Sequence, residues 1–448
     1  MSRLLAALYR KTTLGILLAL AAVCGCSQPA KDGGAEADSQ PFPRWCDDLG
    51  PLAVTQGDIN PQRNWYLPAT LTGLDLSRPL WERVLDPAGN ERLVYARDVI
   101  YYATALGHAG AVDARSGQPL WRSEREKKRE AAPSRVRVAA PALTEWSLAV
   151  VEPLAGDSSL IHFLAPTTGE LLRTVALAFR AHELLASGRY VIALGGEGQA
   201  VTLDASDGSI LGEASVALTP AGALAVDESL LMLGAEGNLH ALSLPALNHR
   251  RARILEEHAW NPLLLNGELL LFTSAAAAEV VSLAPQTLGQ NWRSPVPRPP
   301  MALPAGCSGR VYYGEITGWF RCFDLGQKRF VWSRDLEAPC YIFMAFDNCV
   351  MAVAEYAAPR TEPGDEVVPA DAPSWYRQPS ELSRRVFVLD NSTGNTLSAF
   401  SVPGGLNLTL VTPYGIVARK EVAGAMRVRT GMAHVCFPAQ VTLSEGSR

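Results

Sequence analysis

The stretch Ala111-Val112-Asp113-Ala114-Arg115-Ser116-Gly117-Gln118-Pro119-Leu120-Trp121 decides the fold. It reads as the end of an apolar strand, an Asp, a short polar turn closed by Gly, and a new strand carrying Trp. Asp accepts backbone N–H bonds inside such a turn, and Gly supplies the positive φ the turn needs. Working outward, the same unit recurs at Leu203-Asp204-Ala205-Ser206-Asp207-Gly208, at Phe323-Asp324 through Trp332, and at Leu389-Asp390-Asn391-Ser392-Thr393-Gly394. Degenerate copies stand at Leu164-Ala165-Pro166-Thr167-Thr168-Gly169, at Leu242-Ser243-Leu244-Pro245, at Leu283-Ala284-Pro285 through Trp292, and, shortened, at Leu74-Asp75 through Trp81. The equivalent positions 75, 113, 165, 204, 243, 284, 324 and 390 lie 38, 52, 39, 39, 41, 40 and 66 residues apart. A period near 40 residues marks a repeat architecture. Before each turn lie short apolar strands, among them Val99 to Ala103, Tyr190 to Leu194, Leu230 to Leu233, Leu269 to Phe272 and Arg310 to Tyr313. Four strands per 40-residue unit make a propeller blade. The sequence therefore predicts an all-β propeller of eight four-stranded blades, with seven as the alternative. The segment up to Leu76 is expected to complete the sheet formed by the C-terminal strands, closing the ring and removing open edges.

The two long gaps coincide with insertions. One is the mixed-charge stretch Arg122 to Arg137, read as a solvated loop. The other is 357–385, rich in Pro and carrying Trp375 and Tyr376, whose aromatic side chains suit an interface anchor. The expected organisation is a leader over 1–25, a lipidated N-terminus and flexible tether over 26–58, the propeller over 59–436, and a tail over 437–448.

The leader is the most specific segment. Arg3, Arg10 and Lys11 precede an apolar run from Leu14 to Val23 that is too short to span a bilayer, which takes about 20 residues. It ends in Val23-Cys24-Gly25-Cys26-Ser27, which resembles a bacterial lipobox. That resemblance implies cleavage before Cys26 and its modification with acyl chains, palmitate among them, which gives stable anchoring. An ordinary cleaved signal peptide, or lipidation at Cys24, is the alternative reading. Ser27, where Asp would specify inner-membrane retention in enterobacteria, points to the outer membrane.

Composition excludes some classes. A formal net charge of −5 does not suit nucleic-acid backbone binding. Beyond the leader cysteines stand Cys46, Cys307, Cys322, Cys340, Cys349 and Cys436. An exported chain permits disulfides, and a Cys46–Cys436 bridge joining the two ends of the body is one expectation. No C-x-x-C, H-E-x-x-H or G-x-S-x-G motif is present. His434-x-Cys436 is read as an incidental pair, Gly195 to Gly198 as a hairpin turn, and Trp121, Trp292 and Trp332 as blade-packing residues. No catalytic, cofactor or metal residue is assigned; Cys26 is the one site residue.

The repeat from Val112 to Trp121, with its copies at Leu203 to Gly208, Phe323 to Trp332 and Leu389 to Gly394, resembles that of quinoprotein-type propellers. One branch of that family comprises dehydrogenases carrying pyrroloquinoline quinone and a divalent cation. The other comprises non-catalytic lipoproteins, including the propeller subunit of the outer-membrane β-barrel assembly machine. The vicinal cysteine pair of the alcohol dehydrogenases is missing here. The resemblance then implies a non-enzymatic envelope scaffold, without cofactor, that binds envelope proteins such as β-barrel assembly components. A quinone enzyme and a ligand- or carbohydrate-sensing propeller are the alternatives.

Overall fold

The computed structural model describes residues 41–50, 53–55, 65–85, 92–104, 107–123, 139–154, 156–255, 258–274, 277–357, 382–402, 406–422 and 431–443. The leader, including Cys26, and the aromatic pair Trp375 and Tyr376 lie outside them. Among the described residues every element is a strand, and the strands form eight antiparallel sheets.

Seven of the sheets are four-strand meanders, read here from the axis outward, and the eighth is completed by two segments from near the start of the described residues. Blade 1 comprises Arg92–Ala96, Val99–Ala103, Ala109–Asp113 and Pro119–Ser123. Blade 2 comprises Ala142–Leu143, Leu148–Pro153, Ser159–Leu164 and Leu171–Leu177. Blade 3 runs through Ala181–Ser187, Tyr190–Gly195, Gln199–Asp204 and Ile210–Ser215. Blade 4 runs through Pro220–Val226, Ser229–Gly234, Asn238–Ser243 and His249–Ile254. Blade 5 has Ala259–Leu265, Glu268–Ser274, Ala278–Leu283 and Gln290–Pro295. Blade 6 has Ala305–Cys307, Arg310–Gly314, Trp319–Asp324 and Arg329–Asp335. Blade 7 is Cys340–Ala345, Cys349–Ala357, Leu382–Asp390 and Thr396–Val402. Blade 8 is Leu406–Thr412, Gly415–Val422 and Gly431–Leu443, completed from the other end of the described chain by Ala69–Leu74 and Trp81–Arg83. The eight-blade count and the closing strand match the sequence expectation.

Burial falls outward along each meander. The second strand of blade 4, Ser229–Gly234, is buried at all but its first residue, whereas the fourth strand of blade 5, Gln290–Pro295, alternates between half-buried and exposed. Continuous apolar runs thus occupy the middle of each blade and alternating ones its rim, as expected for sheets covered on both faces and on one. Blade-to-blade packing supplies the core. Leu185, Ile192 and Leu194 of blade 3 pack against Leu230, Met232 and Leu242 of blade 4. Burying one such side chain contributes about 1.5–3 kcal/mol.

The Asp turns have the geometry the sequence suggests. Asp113 Oδ1 accepts from the Ser116 amide at 2.7 Å and from its hydroxyl at 2.6 Å, while the Gly117 amide donates to Asp113 O at 2.8 Å. Gly117 sits at φ 67°. The Asp204 and Asp390 turns repeat this arrangement through Ser206 and Ser392.

Three boundaries are corrected. The last strand runs to Leu443, because residues 439–443 pair with Ala69–Leu74; the tail expected from 437 is blade 8 up to that point. The insertion expected to end at 385 is strand from Leu382, with Ala357 opposite Leu382 and Ala354 opposite Arg385. The described residues after 41, expected within a flexible tether, lie against the body. Phe42 packs against Phe163, the Trp45 indole N–H donates to Thr144 O at 2.8 Å, and Val54 bridges Tyr95.

Candidate functional site

A meander of this kind has two unlike faces. One carries the turns between first and second strands and between third and fourth strands. The other carries the turns between second and third strands and the connections from blade to blade.

The N-terminal strap lies on the first of these faces. Its Phe42 amide donates to Ser206 O, in the last turn of blade 3. Arg44 pairs with Glu145 at 2.6 Å and lies over the Trp146 ring, at the first turn of blade 2. Thr55 O accepts from the Leu143 amide, and Val54 exchanges bonds with Tyr95 of blade 1. Further on, Leu67 and Ala345 bond, and Asn348 makes reciprocal bonds with the Leu71 backbone. A cleft of about 420 Å³ opens on the same face between blades 4 and 5, lined by Asp227, Glu228, Ser229, Arg250, Pro285 and Gln286.

The second face receives the ends of three internal segments outside the described residues. The chain leaves at Ser123 and returns at 139, leaves at Ala357 and returns at Leu382, and leaves at Val422 and returns at Gly431. All three gaps are blade-to-blade connections or second–third turns. Exposed apolar side chains stand there too: Ile316 in the second–third turn of blade 6, Trp319 at the start of its third strand, and Met301, whose amide donates to Gly314 O of that blade.

The residues weighed for chemistry resolve into structural roles. Trp121, Trp332 and Trp81 each lie on the third–fourth turn of the following blade: their indole N–H groups donate to Pro166 O, Asn391 O and Ala114 O at 2.8, 3.0 and 3.0 Å. Trp292 stacks on Phe323 of blade 6. Gly195 to Gly198 form the hairpin turn expected of them, between the second and third strands of blade 3. The Asp113, Asp204 and Asp390 carboxylates are occupied by their own turns; those bonds, the Ser hydroxyl foremost, hold Asp113 and Asp390 below the usual carboxylate range. His434 and Cys436 lie two residues apart on the last strand, fully buried. Burial, aided by the charge of Arg419, pushes the His434 imidazole down to about 3, and burial pushes the Cys436 thiol up to about 12. Among the described residues no group of three or more His, Cys, Asp or Glu is placed to hold a metal ion.

All six body cysteines are buried free thiols, which corrects the expected Cys46–Cys436 bridge. Cys46 belongs to the strap, in the field of Arg44, Arg97 and Glu145 by blades 1 and 2, whereas Cys436 is in the third strand of blade 8 against Gly415. Two features escaped sequence reading. The strap had one signal, the isolated Trp45 in a polar segment. The contact between His240 and His249 in blade 4, at 3.1 Å between ring nitrogens, had none.

No family model matches the sequence, and no curated protein matches it. Solved structures do. BamB from Moraxella catarrhalis superposes with a TM-score of 0.55 at 16% identity, over 81% of this chain and 97% of that one. The computationally designed Ika8 protein gives 0.54 at 12% identity, over 77% and 95%. The quinohemoprotein alcohol dehydrogenase ADHIIG from Pseudomonas putida HK5 gives 0.55 at 12% identity, over 88% and 80%. Similar folds thus occur in BamB, in a computationally designed protein and in an alcohol dehydrogenase. By fold, this chain is an eight-bladed β-propeller.

Proposed function

We propose that the protein is a lipid-anchored scaffold of the bacterial envelope, held at the outer membrane through Cys26, that binds protein partners without catalysing a reaction. The observation that carries this reading is the division of labour between its faces. The strap that leads back toward Cys26 lies across blades 1 to 3 on one face. The long insertions and the exposed Ile316 and Trp319 belong to the other. A propeller whose strap covers one face and whose long connections start from the opposite face is suited to receive a partner on that opposite face. The turn carboxylates, oxygen donors of the kind a hard cation takes, accept from the Ser hydroxyl and amide groups of their own turns. The fold likeness to BamB supports outer-membrane protein assembly as the setting and β-barrel assembly components as partners. Within the insertion, Trp375 and Tyr376 are the proposed contact residues.

The test is affinity purification of the full-length protein from crosslinked membranes, with Cys26→Ala as control. Recovery of barrel-assembly components in stoichiometric amount, lost in the control, supports the role. Recovery of no stable protein partner removes the scaffold reading, and quinone binding then becomes the next measurement.

A further inference from the structure

The third and fourth strands of blade 4 bring two imidazoles together at the rim of the propeller. His240 Nδ1 and His249 Nε2 are 3.1 Å apart, with the ring centroids 5.4 Å apart and the rings inclined at 70°. A bulge produces the contact. Ala241 pairs with Arg251 but Leu242 pairs with His249, so Arg250 is looped out and His249 is carried toward the His240 side chain. Arg250 and Arg251 point elsewhere, to Ser229 and to Gln286 O. His240 is half-buried beside its cross-strand neighbour Met232, and His249 is exposed.

We propose that His240 and His249 form a surface site for one borderline divalent cation, Zn²⁺ or Cu²⁺. Metal–nitrogen bonds of ~2.0–2.1 Å spanning a 3.1 Å gap subtend about 95–102° at the ion. That angle falls between the octahedral and tetrahedral values, so a small rotation of the exposed His249 ring converges both lone pairs on one point. The donors are imidazoles without a carboxylate, a set that selects Zn²⁺ or Cu²⁺ over Mg²⁺ or Ca²⁺. Since no third protein ligand of the described residues joins them, water fills the remaining positions. Such a site is open to exchange, the property of a sensing or accessory ion rather than of a permanent structural one.

The experiment is a calorimetric titration of the untagged full chain, metal-stripped and held in detergent near neutral pH, with Zn²⁺ alone. One equivalent should bind. His240→Ala and His249→Ala should each weaken binding at least about tenfold, while His258→Ala, on the next blade, should not. Unfolding midpoints of the metal-free variants report whether the blade is intact. Zn²⁺ should raise the midpoint of the parent protein and not that of either variant. With Cu²⁺, the electron spin resonance spectrum should show coupling to two nitrogens in the parent and one in each variant. Unchanged Zn²⁺ affinity and stoichiometry in His240→Ala or His249→Ala, or no binding by the parent at millimolar Zn²⁺, overturns the site.

Discussion

At the scale of the residue, two side chains repay attention for opposite reasons. Gly394 sits at φ 70°, and a Cβ there would lie 2.6 Å from the Trp332 ring. Gly394→Ala therefore combines backbone strain with a clash, and should destabilise by about 2 kcal/mol. Trp332→Ala removes the other half of the contact and should cost about 3 kcal/mol. Because the two substitutions act on one contact, the double variant should fall short of their sum in a denaturant series. His434 is the contrary case, a buried imidazole whose two ring nitrogens have no partner in the structure. Its folded pKa, about 3, lies below the unfolded value, so the unfolded chain takes up the proton first. The associated stability is present above about pH 6.5 and is lost as pH falls toward 3. Unfolding free energy should then fall by up to about 1.4 kcal/mol per pH unit across the acid side of that window. His434→Leu should flatten the dependence between about pH 6 and 4.5, before carboxylates contribute. An unchanged slope in that variant would mean the ring is hydrated or paired.

At the scale of the element, closure is the decisive feature. The outer strand of blade 8 comes from Ala69–Leu74 and Trp81–Arg83, paired to the single long strand Gly431–Leu443. Deleting residues 439–443 strips Ala69–Leu74 of its partner and exposes two edges. The truncated protein should self-associate in light-scattering measurements and unfold over a broader range than the parent. The closing strand was legible because the count of turns left one sheet short, but its reach past 436 was not. Residues 437–443 hold a Pro and polar side chains, a pattern that only the partner strand turns into a sheet. The Asp turns were legible for a related reason: Asp, Ser and Gly encode that conformation within a few residues. The strap, the Trp-to-next-blade contacts and the His240–His249 pair join positions brought together by the meander or by neighbouring blades, and the local pattern carries little or nothing of them. The free thiols belong here as well. Six cysteines in an exported chain suggest bridges, yet Cys322, Cys340, Cys349 and Cys436 each fill an apolar layer, and burial pushes each thiol up to about 12. Their folded values exceed the unfolded one, so the stability they contribute is complete below about pH 8.5 and declines as pH rises beyond it. In the native protein a thiol reagent should react with none of the four within minutes, and with all of them once the protein is unfolded. A pair that stays unreactive after unfolding without reductant would reveal a disulfide.

At the scale of the whole molecule, a closed propeller separates what it is attached to from what it displays. First–second and third–fourth turns share one face of every blade, and the strap runs over blades 3, 2 and 1 on that side. The gaps after Ser123, Ala357 and Val422 open on the other side, and they belong to neighbouring blades 7, 8 and 1. Both long insertions of the sequence, 122–137 and 357–385, thus lie between strand ends on this one face. If that face receives the partner, the two sides should differ in a crosslinking experiment. A photoreactive residue at Ile316, exposed on the insertion side, should capture the partner in membranes. The same residue at Glu228, exposed in the first turn of blade 4 on the strap side, should not. Trp319→Glu should reduce partner recovery about tenfold, the order expected when an aromatic anchor worth 1–2 kcal/mol is replaced by a charge. Capture from Glu228 with none from Ile316 would reverse the assignment of faces while leaving the scaffold role standing. Equal capture from both would mean that the partner wraps the rim, and that the distinction between an anchored and a displayed face has no functional content.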